Sequence, residues 1–82
     1  MIRVQVQCFA GAREITGWRE REVSLAEGAT AADLLEALGA AHPALREWKA
    51  FLRLAVNQEY ADPGLPLRDG DAVAVIPPVS GG

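Results

Sequence analysis

The segment PPVSGG, residues 77–82, contains the clearest candidate for a reactive group in this sequence. Proline lacks a backbone N–H donor and fixes φ, so Pro77 and Pro78 end the preceding apolar run and stiffen the chain that leaves it. Residues 79–82 extend about 13 Å at ~3.3 Å per residue. Glycine has no Cβ, so Gly81 and Gly82 fit a channel too narrow for other residues. The pattern predicts a thin stalk that carries the α-carboxylate of Gly82 into another protein.

The other residue types that commonly perform catalysis are scarce. Cys8 and His42 are the only cysteine and the only histidine, so they cannot form a zinc cluster. Cys8 lies on the apolar face of an alternating segment, which is typical of an unreactive core thiol. Asp69 and Asp71 flank a glycine, which indicates a turn, and two carboxylates alone hold a hard cation poorly. We therefore expect no enzyme active site within the domain and no bound cofactor or metal.

Length and composition indicate one small globular domain. The chain has 82 residues, half of them apolar, which suffices for a single core. Eight basic residues against eleven acidic ones give a net charge of −3, so we expect no nucleic-acid partner. The N-terminus alternates instead of forming an apolar signal segment, and no apolar run approaches the ~20 residues that span a bilayer. These features predict a cytoplasmic protein with no membrane partner.

Hydrophobic periodicity predicts the secondary structure. Residues 2–8 alternate as a strand with one polar face, and residues 19–24 form a weaker, charged strand antiparallel to it. The segment between them is long enough for one helical turn. Residues 31–41 have helical spacing, with Thr30 as the N-cap and Asp33 completing a capping box. Pro43 ends that helix near residue 41 and opens a second short helical segment, PALREW.

The second half of the chain returns to a period of two. Residues 52–56 and 72–76 are predicted strands, with a tight turn at Asn57-Gln58 and another turn at Asp69-Gly70. A helix connection between early and late strands allows them to lie parallel in one mixed sheet. The predicted fold class is α+β: a ubiquitin-like β-grasp of about five strands with one main helix packed across them. We expect a β-grasp domain over residues 1–78 and a flexible Gly-Gly tail over residues 79–82.

Three segments carry a resemblance to a known family. FAGAREITG, VNQEYAD and LRDGDAVAVIPPVSGG, together with the chain length, resemble the small subunits of molybdopterin synthase, which are ubiquitin-like sulfur carriers. The resemblance spans most of the chain and is weakest in the helix and in residues 19–25. Its most specific part is the ending, in which a serine precedes the two glycines.

This resemblance implies a carrier that is not an enzyme on its own. An E1-like adenylyltransferase would use ATP to join Gly82 to AMP, and a persulfide sulfur donor would then leave a thiocarboxylate. The large subunit of molybdopterin synthase, as the partner in a heterotetramer, would hold the active site. There the sulfur would pass to a cyclic pterin monophosphate and form the dithiolene of molybdopterin.

The domain body must also bind the partner. Ordering four tail residues costs roughly 4–8 kcal/mol at 1–2 kcal/mol per residue, so the tail alone binds weakly. We therefore expect an apolar patch beside the tail that helps offset this cost, although Phe9 could equally belong to the core. The residues expected to contact a partner are Phe9, Val75, Pro77, Pro78, Val79, Ser80, Gly81 and Gly82.

Two alternative interpretations remain open at the level of the sequence. The tail is equally compatible with a sulfur carrier for thiamine or tRNA thiolation and with a ubiquitin-like modifier joined to lysines, since all of these activate a terminal glycine. A β-grasp binding module without tail chemistry is the alternative from a different class.

Overall fold

Five strands and three α-helices make up the part of the chain that the structure describes. The structure is a computed structural model that describes residues 1–77 except for the Lys49 side chain, so the predicted domain boundary after residue 78 lies outside it. The elements are β1 (Ile2–Cys8), α1 (Ala10–Thr16), β2 (Glu20–Leu25), α2 (Ala31–Ala41), α3 (Pro43–Trp48), a 3₁₀ turn (Lys49–Phe51), β3 (Arg53–Val56), β4 (Glu59–Tyr60) and β5 (Ala72–Ile76). None of these helices is long and apolar enough to cross a bilayer.

The strands form one mixed sheet in the order β2-β1-β5-β3-β4. The central pair, β1 and β5, is parallel, and Cys8 lies opposite Val75 at the end of the pairing. Every other pair is antiparallel. A parallel pair requires a long crossover, which here contains α2, so the first and last strands meet in the middle of the sheet. This arrangement confirms the predicted β-grasp fold.

One hydrophobic cluster joins the inner face of the sheet to the helices. Strand β1 alternates strictly between buried and exposed residues, as its sequence predicts. Leu34 of α2 and Leu45 of α3 are the largest of the fully buried side chains, and they belong to the same cluster as the inward valines of β1 and β5. Within residues 1–77 no helix packs on the opposite face of the sheet, and we call it the open face.

The predicted capping box starts α2. The Asp33 backbone N–H donates to Thr30 Oγ1 at 3.3 Å, and the Thr30 N–H donates to Asp33 Oδ2 at 2.9 Å. Each bond satisfies a backbone N–H group, and the Asp33 N–H would otherwise lack a partner within the helix.

We expect Thr30→Ala to lower the free energy of unfolding by about 1 kcal/mol, as measured by urea denaturation. Ser24→Ala, on an exposed strand position, is the control, and an equal loss in both variants would contradict the capping role.

Both predicted turns are present and support each other. Asn57 and Gln58 have φ of 50° and 72°, which close the hairpin between β3 and β4. Gly70 has φ of 88°, a conformation that favours glycine. The Asn57 side chain joins the two regions, because its Nδ2 donates to Asp71 and its Oδ1 accepts from the Ala72 N–H, both at 3.0 Å. These bonds hold the start of β5 in place.

Helix α1 is longer than the single turn predicted from the sequence. It covers seven residues and ends at Gly17, which has φ of 82°. The helix lies against α3, where the Trp48 ring approaches Gly11 so closely that a Cβ there would lie 3.0 Å from two ring atoms. A helix of seven residues is too short to be stable by itself, so the contact with the distant Trp48 helps to stabilise α1. The helix begins directly after Phe9, at the end of β1.

Candidate functional site

The strand that precedes the tail lies at the centre of the sheet. The last strand before it, β5, ends at Ile76, opposite Arg53 at the start of β3 and next to the end of β1. Pro77 follows and is half-buried. Of the other residues predicted to contact a partner, five lie outside the described residues: Pro78, Val79, Ser80, Gly81 and Gly82. A partner that receives the tail must therefore approach the end of the sheet at which β1 stops.

An apolar depression lies on the open face of the sheet beside this exit. Strand β5 reads AVAVI, and the two valines are buried while the alternate residues face outward. The depression has a volume of about 550 Å³. Its apolar lining includes Phe9, Ala55, Tyr60, Ala72, Ala74 and Ile76. Small side chains over β5 and β3, bordered by two exposed aromatic rings, form a surface into which apolar side chains of a partner can pack.

The structure separates the two body residues that were predicted to contact a partner. Phe9 is 49% exposed and lines the depression, so it is not a core residue. Val75 was predicted beside it, but its side chain is 0% exposed and belongs to the hydrophobic cluster, so it does not line the depression. Alternation places Ala74 and Ile76 on the outer face instead. Proximity to the tail in sequence was a poor guide here, since neighbouring strand residues face opposite sides of the sheet.

The other half of the open face is polar. Gln7 Nε2 donates to Glu20, and Gln5 Nε2 donates to Glu22, both at 3.2 Å, across the pairing of β1 with β2. These exposed amides and carboxylates satisfy one another, so this half offers no apolar surface. The open face is thus divided between a polar half over β2 and β1 and an apolar half over β5, β3 and β4.

The single cysteine belongs to the core, as its position on β1 predicts. Cys8 is 2% exposed, and burial raises the pKa of its thiol, although a hydrogen bond with Thr16 lowers it slightly. The thiol therefore remains protonated at neutral pH, and the thiolate is the nucleophilic form. Cys8 is consequently a poor candidate for the atom that carries sulfur.

The remaining chemical candidates have structural roles in the described residues. Asp69 accepts a hydrogen bond from the Arg3 N–H at 2.8 Å, and Asp71 accepts one from the Arg68 N–H at 2.8 Å. These bonds confirm the turn interpretation of both carboxylates. His42 is half-buried as the C-terminal cap of α2. Within residues 1–77, no three or more histidine, cysteine, aspartate or glutamate side chains are grouped so that they could hold a metal ion.

Sequence reasoning missed most of the apolar depression. The alternation of alanine and valine in AVAVI was a usable signal, because the larger residues of such a strand usually pack into the core. Tyr60 and Ala55 join the depression only because the Asn57-Gln58 turn folds β4 back beside β3, where Ala55 lies opposite Tyr60. This juxtaposition depends on strand register and is not visible in a linear pattern.

Comparison with known proteins identifies relatives along the whole chain. The profile described as "ThiS family" matches residues 6–82. The molybdopterin synthase sulfur carrier subunit of Chlamydomonas reinhardtii is 45% identical over 83 residues, covering 99% of this chain and 100% of that protein. The human protein of the same name is 39% identical over 85 residues, covering 100% and 97%. Small archaeal modifier protein 1 of Haloferax volcanii is 38% identical over 82 residues, covering 90% and 94%.

Solved structures agree with the fold. The putative molybdopterin converting factor subunit 1 of Pyrococcus furiosus superposes with a TM-score of 0.88 at 36% identity, covering 96% of this chain and 100% of that one. A similar chain occurs in the complex of subunits 1 and 2 of the molybdopterin-converting factor from Helicobacter pylori, with a TM-score of 0.69, 27% identity, and coverage of 99% and 100%. The sequence match and the shared fold together show that this chain belongs to the ThiS family, and they confirm its likeness to the molybdopterin synthase sulfur carrier subunits.

Proposed function

We propose that this chain is the sulfur-carrier subunit of a molybdopterin synthase and acts through the C-terminal carboxylate of Gly82. The observation that carries the proposal is that the central strand β5 ends at Ile76 directly beside an exposed apolar depression. A partner that covers the depression is placed to receive the tail. The relatives named as molybdopterin synthase sulfur carriers support this choice of client.

The proposed chemistry begins with activation of the carboxylate. A carboxylate is a poor electrophile, so its oxygen attacks the α-phosphorus of ATP on an E1-like enzyme and pyrophosphate leaves. The terminal sulfur of a persulfide donor then attacks the acyl carbon of Gly82 and AMP leaves. A thiol cleaves the resulting S–S bond, which releases the thiocarboxylate and leaves a disulfide on the donor side. We propose that the pathway operates in the cytoplasm, where ATP is available for this first step.

The proposed transfer takes place on the large subunit. The thiocarboxylate sulfur forms a bond to a cyclic pterin monophosphate, and water then hydrolyses the acyl C–S bond. Hydrolysis leaves the sulfur on the pterin and regenerates the carboxylate of Gly82 for another cycle. This chain supplies the transferred atom, while the large subunit supplies the acid–base and cationic groups that orient the pterin and stabilise charge. The chain is therefore a carrier and not an enzyme by itself. The complex of the two subunits from Helicobacter pylori supports a large-subunit partner.

The apolar half of the open face is the proposed docking surface for that partner. Burial of Phe9, Ala74 and Ile76 would stabilise the complex and help offset the entropy lost when the tail is ordered. The domain body thereby raises the effective concentration of the tail at its channel. A polar half on the same face limits how the partner can be positioned.

We expect Ala74→Arg to weaken binding to the large subunit about tenfold or more, because it places a charge in the middle of the apolar contact. Ala74 is half-buried on the outer face, so the arginine side chain can extend into solvent and the fold should persist. Isothermal titration calorimetry with the purified large subunit measures the effect. Ser24→Arg, on the polar half of the same sheet, is the control. Equal affinities for both variants would place the interface elsewhere.

Intact-mass analysis tests the proposed function directly. The protein is incubated with ATP, the E1-like enzyme and a persulfide donor, and the C-terminal peptide should gain the mass difference between sulfur and oxygen. Absence of both an AMP adduct and a sulfur shift would support a binding module without tail chemistry. Isopeptide-linked lysine conjugates in place of pterin conversion would support a modifier, a possibility raised by the archaeal relative. Sulfur transfer to thiamine precursors or tRNA would assign the carrier to another client.

A further inference from the structure

A second depression lies on the other side of Phe9 from the apolar one. It has a volume of about 310 Å³, and Phe9, Arg13 and Arg19 are among its lining residues. Phe9 lines both depressions, so the apolar surface continues over its ring to the two arginines. We call this second depression the cationic cleft.

The backbone holds both arginines close to the end of β1. Arg13 lies one helical turn after Phe9, with its N–H directed to the Phe9 carbonyl oxygen at 3.4 Å. The Arg19 carbonyl oxygen accepts a hydrogen bond from the Cys8 N–H at 2.9 Å, just before β2 begins. The pairing of β2 with β1 and the start of α1 therefore bring two residues six positions apart to one cleft. This cleft lies at the same end of the sheet as the root of the tail.

The two charges are unmatched in the described part of the chain. Neither Arg13 nor Arg19 forms an ion pair within residues 1–77, and both side chains are exposed. The nearby Glu20 carboxylate accepts from Gln7 on the open face. The chain has a net charge of −3, yet both of these cations line the same depression. Their mutual repulsion is relieved when an anion approaches the cleft.

We propose that the cationic cleft binds a carboxylate side chain of the large-subunit partner, on a segment continuous with the one that covers the apolar depression. This inference rests on the proposed function, because it names the chemistry of the same partner. Guanidinium groups bind carboxylates with two parallel hydrogen bonds, which fixes orientation more strongly than apolar contact does. The ion pair between these arginines and the partner's carboxylate would stop rotation of the domain about the Phe9 contact and keep the tail aligned with its channel.

The arrangement of charges favours an acidic protein segment over a polyanion. Strand β2 carries Glu20 and Glu22 on the open face close to the cleft, and these carboxylates would repel a nucleic acid or an anionic membrane. A single carboxylate at the end of an apolar contact can enter the cleft, whose charged lining residues are the two arginines. The cleft thus suits a partner segment that is apolar where it crosses the depression and acidic beyond Phe9.

Charge reversal tests this inference. We expect the double variant R13E/R19E to bind the full-length large subunit roughly tenfold to a hundredfold more weakly than the unmodified protein, with a smaller dependence of the dissociation constant on salt. The double variant R46E/R68E is the matched control, since it reverses two exposed arginines outside both depressions. Its affinity should stay within about twofold of the unmodified protein. Circular dichroism verifies that each variant is folded, and R13Q/R19Q replaces the reversal if folding is impaired.

The outcomes separate this inference from the function on which it rests. If the unmodified protein does not bind the large subunit, the proposed function fails and the cleft has no such partner. If the unmodified protein binds and R13E/R19E binds equally well, the cleft is not part of the interface, while the proposed function stands. If R46E/R68E weakens binding as much as R13E/R19E does, the effect is one of net charge, and the specific role of the cleft is overturned.

Discussion

Deleting Gly82 is expected to reduce thiocarboxylate formation by at least about 100-fold while leaving the thermal midpoint of the domain almost unchanged. The deletion withdraws the reactive carbon by one residue, about 3.5 Å, from the place where the activating enzyme holds ATP. A misplacement of about 1 Å already costs roughly 100-fold in a positioned reaction. Gly82 has no side chain, and the deletion leaves the hydrophobic cluster of residues 1–77 with all of its members. Intact-mass analysis and differential scanning calorimetry measure the two effects.

Two further variants separate tail length from tail composition. One glycine appended after Gly82 should block activation as strongly as the deletion, because the carboxylate then lies too far along the channel. Ser80→Ala keeps the length and should retain activity. A truncated or extended protein that still accumulates thiocarboxylate would argue against a threaded tail. A large loss of stability on deletion would instead give the tail a structural role.

Leu34→Ala is expected to lower the free energy of unfolding by about 3–5 kcal/mol. Leu34 is 0% exposed at the centre of the cluster that joins α2 to the sheet. Its truncation removes apolar contacts and leaves a cavity that a close-packed core fills only partly. Domains of this size are stable by only about 5–15 kcal/mol, so this single change removes much of the total. Urea denaturation monitored by tryptophan fluorescence provides the measurement.

Leu65→Ala is the matched control for this effect. It makes the same chemical change at a side chain that is 40% exposed, so we expect a loss of about 1 kcal/mol or less. Similar losses at both positions would mean that the hydrophobic cluster does not determine stability in the way the burial indicates. A much smaller effect of Leu34→Ala than of Leu65→Ala would contradict the packing of α2 on the sheet.

The exposed surface of the β-grasp domain, more than the tail, can determine which pathway the carrier serves. Sulfur carriers of different pathways and modifiers all present an activatable glycine, so the tail alone cannot select the partner. The apolar depression and the cationic cleft differ in chemistry and meet at Phe9. Specificity is a difference of affinities, and a partner lacking an acidic residue beyond its apolar contact would leave two arginines unpaired. Affinity for the molybdopterin synthase large subunit therefore tests the choice of client.

Local patterns in the sequence were sufficient for most of the secondary structure. The capping box of Thr30 and Asp33, the end of α2 before Pro43 and the turn at Asn57 are set by hydrogen bonds between residues close in the chain. The alternation of β1 correctly predicted its buried face, including Cys8. The β-grasp arrangement followed because one helix between early and late strands has few economical ways to bury the apolar faces.

Features that depend on contacts between distant residues required the tertiary structure. Helix α1 is longer than its sequence predicts, and it packs through Gly11 against Trp48, which lies more than 30 positions away. The burial of Val75 and the exposure of Phe9 depend on which face of the sheet the helices cover.

The sequence by itself predicts the chemistry of the tail, because that prediction depends on residue types alone. It also determined the order of elements that leads to the tail, because local hydrogen bonding and periodicity suffice for it. Only the tertiary structure decided which side chains surround the root of the tail. Strand pairing brings Phe9, Arg13 and Arg19 to one end of the sheet beside β5, and the register of β3 with β4 places Tyr60 at the rim of the apolar depression. Such neighbours come from different parts of the chain, and a one-residue change of register would turn each strand's side chains to the opposite face.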